Sequence, residues 1–99
     1  MSKLGLLAQI EAKPEYADKV EALLRDALQL AQQEDHTVAW FAFKLGDTTF
    51  GVFDTFDDEQ GRQAHLQGRI AAALTEAAGT MLSEAPGIRP LDVLSAKLP

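Results

Sequence analysis

Apolar residues recur along this chain at two spacings, one typical of strands and the other of helices. In the first segment every second residue is apolar and Gln9 lies on the opposite face; the apolar residues are Leu4, Leu6, Ala8 and Ile10. This period of two predicts a half-buried strand. Pro14 then fits the first turn of a helix, and apolar residues recur every three or four positions from Tyr16 to Ala31. That stretch predicts an amphipathic helix.

Two further strands are predicted in the middle of the chain. The segments Thr37 to Lys44 and Thr48 to Phe56 are rich in β-branched and aromatic residues. Only the short turn Leu45-Gly46-Asp47 separates them, so they are expected to form an antiparallel hairpin. In the first of these strands Trp40 is predicted to share a face with Val38 and Ala42, and Phe43 to lie on the opposite face.

A second helix and a last strand complete the predicted elements. Asp57 or Asp58 can cap the helix, and Gly68 predicts a bend within it. Its buried stripe is apolar and consists of Leu66, Ile70, Ala73, Leu74 and Ala77. The last strand is expected from Ile88 to Lys97, and Pro90 indicates that it begins at a sheet edge or as an irregular segment.

The order of these elements predicts a single domain over residues 1–99, of the α+β class with a ferredoxin-like βαββαβ order. Both amphipathic helices can be buried on one face of a four-stranded antiparallel sheet. The other face then needs cover, because a chain of 99 residues buries only about two-thirds of its unfolded surface. We therefore expect a homodimer that forms through the open sheet face.

Composition narrows the possible partners and cofactors. The net charge is −6 and the basic residues form no cluster, which disfavours nucleic acid and anionic membrane surfaces. There is no cysteine, and the first apolar stretch is too short for a signal-peptide core or a membrane span, so a cytoplasmic location is expected. The histidines His36 and His65 lie in a turn and a helix without metal-ligand spacing, so no metal site is expected.

The second hairpin strand and the following helix carry a family resemblance. Segment 54–59 reads Asp54-Thr55-Phe56-Asp57-Asp58-Glu59, and segment 61–66 reads Gly61-Arg62-Gln63-Ala64-His65-Leu66. Together with Ile10-Glu11-Ala12-Lys13-Pro14, these segments resemble small antibiotic biosynthesis monooxygenase domains. The resemblance covers nearly the whole chain and implies a dimeric α+β barrel with a ligand pocket between sheet and helices in each subunit.

The resemblance also implies a choice of reactions. Family members include quinol and polyketide-aromatic monooxygenases that need no metal or flavin, as well as haem-degrading enzymes. The haem-degrading branch relies on an asparagine, a tryptophan and a histidine. Here Gln9 and Phe56 stand at the first two places, the chain has no asparagine, and only His65 matches. We therefore expect a monooxygenase without a cofactor that acts on a quinol or another electron-rich aromatic; the alternative is a non-catalytic dimer that binds a small molecule or serves as a stress-accessory protein.

His65 is the candidate catalytic residue, because an imidazole exchanges a proton near neutral pH. It is expected to act as a base or polarising group, and the competing interpretation is a boundary histidine with a structural role. Arg62 or Arg69 would stabilise the substrate anion. Asp54 could accept a hydrogen bond from a phenol or orient a histidine, or it could form an ion pair with Arg62 or Lys44.

The remaining candidates are expected to contact an aromatic substrate. Trp40, Phe43 and Phe56 would hold the ring, although a single tryptophan in a strand more often belongs to a core or a dimer interface. Gln9 stands at about the place where some family members carry an asparagine that contacts the ligand, and it could equally face solvent.

Overall fold

The computed structural model describes residues 3–99. Its four strands are β1 (Leu4–Glu11), β2 (Thr37–Lys44), β3 (Thr49–Phe56) and β4 (Gly87–Asp92). Its helices are α1 (Ala17–Gln32), α2 (Glu59–Leu66) and α3 (Arg69–Ala78), and a single 3₁₀ turn, Pro14–Tyr16, precedes α1. The predicted α+β class and βαββαβ order are confirmed, with the second helix divided in two.

The strands form one antiparallel sheet in the order β2-β3-β1-β4. Pro90 therefore lies in an edge strand, where its missing N–H breaks no interior ladder. The last strand is shorter than predicted, because it ends at Asp92 and not at Lys97. Asp92 is opposite Leu4, the first residue of β1, and just beyond the strand the Val93 N–H donates to the Lys3 carbonyl at 2.8 Å.

The helices cover one face of the sheet and form the core with it. The buried core side chains are apolar and include Leu6, Ala8, Ile10, Val20, Leu24, Ala27, Ala31, Phe50, Val52, Phe56, Ile70, Leu74 and Ala77. On β1 and β3 these residues recur every second position, and on α1 every three or four, as the sequence pattern predicts. The same face of β3 also carries Asp54, a buried carboxylate in an otherwise apolar row.

The predicted second helix is interrupted at the position where a bend was expected. Asp58 caps α2, and its side chain accepts a hydrogen bond from the Gly61 N–H at 2.8 Å. At Gly68 the backbone is extended, with φ −90° and ψ −173°, and α3 begins at the next residue. The weak helix propensity of glycine thus ends the helix there and lets α3 take a new direction.

The open face of the sheet carries exposed or half-buried apolar side chains. Phe41 of β2 and Phe53 of β3 stack with their ring centroids 6.4 Å apart, and Leu7 of β1 is the partner of Phe53 in the next strand. Phe41 is 52% exposed. Among residues 3–99 no helix combines the length and the apolar composition needed to cross a membrane; the cytoplasmic location stays a prediction.

Candidate functional site

His65 lies on the last turn of α2 and points into the protein. Its side chain is only 5% exposed, and its ring is 5.3 Å from that of the fully buried Phe56. Gly61, one turn earlier, lets α2 pack closely against the chain at His36, since a Cβ at Gly61 would lie 3.2 Å from the His36 carbonyl oxygen. The helix is therefore held against the sheet with its histidine inward.

Both ring nitrogens of His65 face carboxylates. The Nε2 atom is 2.8 Å from Oδ2 of Asp54, which belongs to β3 and is 2% exposed. The Nδ1 atom is 2.7 Å from Oε1 of Glu34, in the turn that follows α1. One imidazole thus connects the sheet, the α1–β2 turn and α2 through two charge-assisted contacts.

This environment determines the charge of His65. Burial by itself lowers the pKa of His65, but the contacts with Asp54 and then Glu34 outweigh it and raise the pKa above its ordinary value of 6.5. With a carboxylate at each nitrogen, the ring donates to both only in its imidazolium form, which the raised pKa favours. In that state it can polarise a neighbouring group, but it has no free nitrogen that could act as a base.

Three buried polar side-chain atoms have no hydrogen-bond partner among residues 3–99: Nε2 of His36, Nε1 of Trp40 and Oδ1 of Asp54. Of these, Asp54 Oδ1 is an acceptor and Trp40 Nε1 is a donor. Asp54 and Trp40 are opposite each other in the β3–β2 ladder, so both side chains leave the sheet on the face that the helices cover. Buried polar atoms without partners are rare and costly, so each of these two atoms is a candidate to bind a polar group of a ligand or a water.

One cavity borders the cluster directly, and two larger ones lie farther along α1. A small one of about 30 Å³ lies between the sheet and α3, and its lining includes Asp54, His65, Ile70 and Ile88. A second of about 230 Å³ separates α1 from α3. The largest, about 450 Å³, is a cleft between α1 and β2 with Trp40 and Phe50 in its wall.

Two of the other predicted site residues, Gln9 and Phe43, lie away from His65, whereas Phe56 packs against it. Gln9 is exposed on the open face of the sheet, which separates it from the imidazole. Phe43 contributes to the large cleft from the β2 edge, but its ring lies over Gly51 on the open face. Phe56 is fully buried beneath the histidine and belongs to the core.

The predicted cations also lie apart from the cluster. Arg62 forms an ion pair with Glu59 at 2.6 Å, and Arg69 is exposed at the start of α3. Lys44 contacts Glu21 at 3.0 Å, and Asp54 pairs with neither Lys44 nor Arg62, so the predicted ion pair with one of these two cations is not formed. The other interpretation of Asp54, as the residue that orients a histidine, agrees with the 2.8 Å contact to His65.

Sequence reasoning missed the segment between α1 and β2. Glu34 accepts a hydrogen bond from Thr37 Oγ1 at 2.7 Å, and its Oε1 atom is 3.6 Å from Nε2 of His36. By its polarity alone, the run Glu34-Asp35-His36 indicates only a break between a helix and a strand. The available sequence signal is a glutamate and a histidine two residues apart between α1 and β2. Only the tertiary structure brings them to His65.

Comparison with known proteins places the fold. No family model matches the chain, and no curated protein matches it. A solved structure of a protein of unknown function from Nitrosomonas europaea is 54% identical, covers 100% of this chain and 96% of its own, and has a TM-score of 0.97. A proposed antibiotic biosynthesis monooxygenase from Caulobacter crescentus is 18% identical over 95% of this chain and 92% of its own, with a TM-score of 0.79.

A further solved structure, described as an antibiotic biosynthesis monooxygenase, is 20% identical over 93% of this chain and 99% of its own, with a TM-score of 0.80. These likenesses show that the fold is that of the antibiotic biosynthesis monooxygenase-like proteins, as the sequence resemblance implied. The chain belongs to the same family as the Nitrosomonas europaea protein, whose function is unknown.

Proposed function

We propose that the chain is a monooxygenase that oxidises a quinol or another electron-rich phenol bound at Asp54 and Trp40. The observation that carries the proposal is the buried pair of unpartnered atoms, the acceptor Asp54 Oδ1 and the donor Trp40 Nε1. A phenolic hydroxyl satisfies both, since it donates to the carboxylate and accepts from the indole N–H. Solved structures of this fold that are described as monooxygenases support the reaction class.

The chemistry follows from the charges around that hydroxyl. Asp54 Oδ1 takes the phenolic proton, and the phenolate that forms is stabilised by the Trp40 N–H and by the adjacent His65 imidazolium. The electron-rich ring then supplies the electrons that reduce oxygen. One oxygen atom replaces hydrogen on a ring carbon and the other leaves as water, so a phenol and O₂ give a quinone and water without an external reductant.

Binding of a whole ring requires space beyond the cavity at Asp54. The 30 Å³ beside Asp54 and His65 accommodates a hydroxyl or a water, not an aromatic ring. Helix α3 is the element that can move to make this space. It lies between two glycines, Gly68 and Gly79, and the 230 Å³ cavity separates it from α1. In the proposal α3 moves toward α1 when the substrate enters.

A homodimer is the proposed assembly. The open sheet face exposes Leu7 and Phe41 at 38% and 52%, and Phe53 and Leu91 extend the same apolar surface. A second copy covers such a surface with its own equivalent face around a two-fold axis. The helix-covered site of each chain then lies on the outer side of its sheet.

A non-catalytic binding function is the second candidate. It is favoured by the engagement of both His65 nitrogens and by the small cavity, which suit a stable pocket better than repeated turnover. In this case the same two polar atoms would hold a phenolic hydroxyl, and no oxygen would be consumed.

Oxygen uptake by chelator-treated protein, measured with a panel of quinols and polyphenols, tests the proposal. We expect saturable uptake with one quinone formed per O₂, and a loss of about 10²- to 10⁴-fold in Asp54→Asn, the range associated with removal of a general base. Trp40→Phe, which removes the indole donor and keeps an aromatic ring, should also lower the rate. Asp47→Asn in the exposed β2–β3 turn is the matched control.

The possible outcomes separate the two candidate functions. Unchanged uptake in a folded Asp54→Asn variant would overturn the assignment of the base. Saturable binding of phenols without any oxygen uptake would replace the monooxygenase with the binding protein.

A further inference from the structure

The fold brings together three metal-ligating groups that are distant in the sequence. Nε2 of His36, Nδ1 of His65 and a carboxylate oxygen of Glu34 all lie within 4.8 Å of one another. His36 immediately precedes β2, His65 belongs to α2, and Glu34 lies in the turn after α1. We infer that these three residues form a binding site for one divalent transition-metal ion of the zinc type.

The donor set and its spacing suit such an ion. Imidazole nitrogen and carboxylate oxygen are typical zinc ligands, with bond lengths of about 2.0–2.2 Å, and two imidazoles with one carboxylate leave coordination positions open. Glu34 Oε1 is 2.7 Å from His65 Nδ1 and 3.6 Å from His36 Nε2. A small movement of the His65 ring away from Glu34, with His36 near its present distance, would let all three atoms contact one ion.

His36 provides an independent observation. Its Nε2 atom is buried and has no hydrogen-bond partner among residues 3–99, although it faces the carboxylate of Glu34 at 3.6 Å. A metal ion between these atoms would satisfy that nitrogen. In the same geometry the ion takes the place of the hydrogen between Glu34 and His65 Nδ1. Both of these atoms then keep a bonding partner when the ion binds.

The surrounding residues already provide the outer support that metal sites need. Asp54 holds Nε2 of His65 at 2.8 Å, which leaves Nδ1 directed at the proposed ion. Thr37 donates to Oε1 of Glu34 at 2.7 Å and fixes that carboxylate. A carboxylate behind a ligating imidazole is the usual way in which proteins orient such a ligand.

An acidic pocket adjoins the cluster and provides a path for a cation. It has a volume of about 280 Å³, and its lining includes His36 together with Asp35, Asp57 and Asp58. The carboxylates give this pocket a negative potential that attracts divalent ions toward His36. The segment that carries Glu34 packs closely against the start of α3. A Cβ at Gly68 would lie only 3.2 Å from Glu34 Oε2.

The site shares His65 with the reaction proposed above, but the two use opposite nitrogens of its ring. The ion would bind on the Nδ1 side of His65, whereas the phenolic hydroxyl is assigned to Asp54 Oδ1 beyond the Nε2 side. The inference therefore does not rest on the proposed function, and it can be tested without an aromatic compound or oxygen.

Calorimetric titration of the chelator-stripped protein with Zn²⁺ tests the inference, with His36→Ala as the decisive variant. We expect one ion per chain and an affinity loss in His36→Ala that exceeds the roughly 10- to 100-fold that follows loss of an outer-shell partner. Asp35→Asn, which removes a charge from the acidic pocket but no ligand, should bind nearly as tightly as the wild type. Co²⁺ should give visible absorption bands in the wild type, and these should be absent from His36→Ala.

Wild-type protein alone also gives a test, which keeps the inference open to refutation even if the variant folds poorly. Zn²⁺ should raise the urea midpoint of unfolding, because an ion that binds only the native state stabilises it. The absence of saturable binding and of Co²⁺ bands would overturn the inference. Equal losses in Asp35→Asn and His36→Ala would also overturn it, because the ion would then bind in the acidic pocket.

Discussion

The two faces of the four-stranded sheet carry different kinds of side chain and have different roles. On the face that the helices cover, an apolar core surrounds one buried ionic cluster, Asp54–His65–Glu34. On the open face, Phe41, Phe53 and Leu7 form an apolar surface. On the covered face, the buried charges must be paired, which favours one arrangement of the helices on the sheet. The open face offers an apolar area that a second copy can bury.

The largest expected effect is a difference in the free energy of unfolding between variants of the two histidines. His65→Ala leaves two buried carboxylates without their cation, and breaking a buried ion pair costs about 3–5 kcal/mol of the free energy of unfolding. His36→Ala is the matched control, because the side chain is 32% exposed and has no hydrogen-bond partner at Nε2, so we expect a loss below about 1 kcal/mol. Urea unfolding with a chelator present measures both values, and equal losses would contradict the role given to His65.

The next effect concerns the open face. Phe53→Ser removes an aromatic side chain from the proposed dimer interface, so we expect the wild type to be a dimer and the free energy of association to be weakened by about 2 kcal/mol or more in the variant. Sedimentation velocity over a range of concentrations measures the change. Leu45→Ser, at a 65% exposed position in the β2–β3 turn, should leave the dimer intact. A wild type that sediments as a monomer at micromolar concentration would refute the assembly.

A third prediction concerns the charge of His65 on the covered face, which the pH dependence of stability tests. The folded pKa of His65 is raised by Asp54 and Glu34, so the stability it provides is fully present below the unfolded value of about 6.5. That contribution is lost as the pH rises through the higher, folded pKa. Urea midpoints of the chelator-treated wild type should therefore fall across this alkaline window, and those of His65→Ala should fall less. Parallel curves for the two proteins would show that the histidine is not held as a cation.

The smallest effect comes from the hydroxyl that supports the cluster. Thr37→Val keeps the shape of the side chain but removes the 2.7 Å hydrogen bond to Glu34, which should lower the free energy of unfolding by about 1–2 kcal/mol. Thr75→Val on the exposed side of α3 is the control, with an expected change within about 0.5 kcal/mol. A loss in Thr37→Val no larger than in the control would mean that Glu34 needs no orienting partner.

Local patterns predicted most of the fold because burial leaves a periodic trace in the sequence. The stripe of α1, the alternation of β1 and the short β2–β3 turn each gave the correct element and neighbour. The end of β4 was wrong because it depends on where β1 begins, and that is a property of the partner strand. Gly68 indicated a bend, but only packing decides between a bend and the break that separates α2 from α3.

The candidate site was only partly predictable. His65 and Asp54 were identified as separate candidates, and their 2.8 Å contact agrees with the interpretation of Asp54 as the residue that orients a histidine. Glu34 and His36 were missed because nothing in their local sequence indicates which helix they will face. Gln9 was placed on the correct strand, but its face lies opposite the cluster. Long-range contacts of this kind leave no periodic signal.

The most direct test of the account follows the indole N–H of Trp40 by NMR during titration with a quinol. The chain contains one tryptophan, so its Nε1–H signal is unambiguous, and in the ligand-free protein it has no hydrogen-bond partner among residues 3–99. We predict a saturable shift of this signal in the wild type and a strongly weakened response in Asp54→Asn. An indole signal that does not move, or that moves equally in both proteins, would contradict the assignment of a phenolic ligand to Asp54 and Trp40.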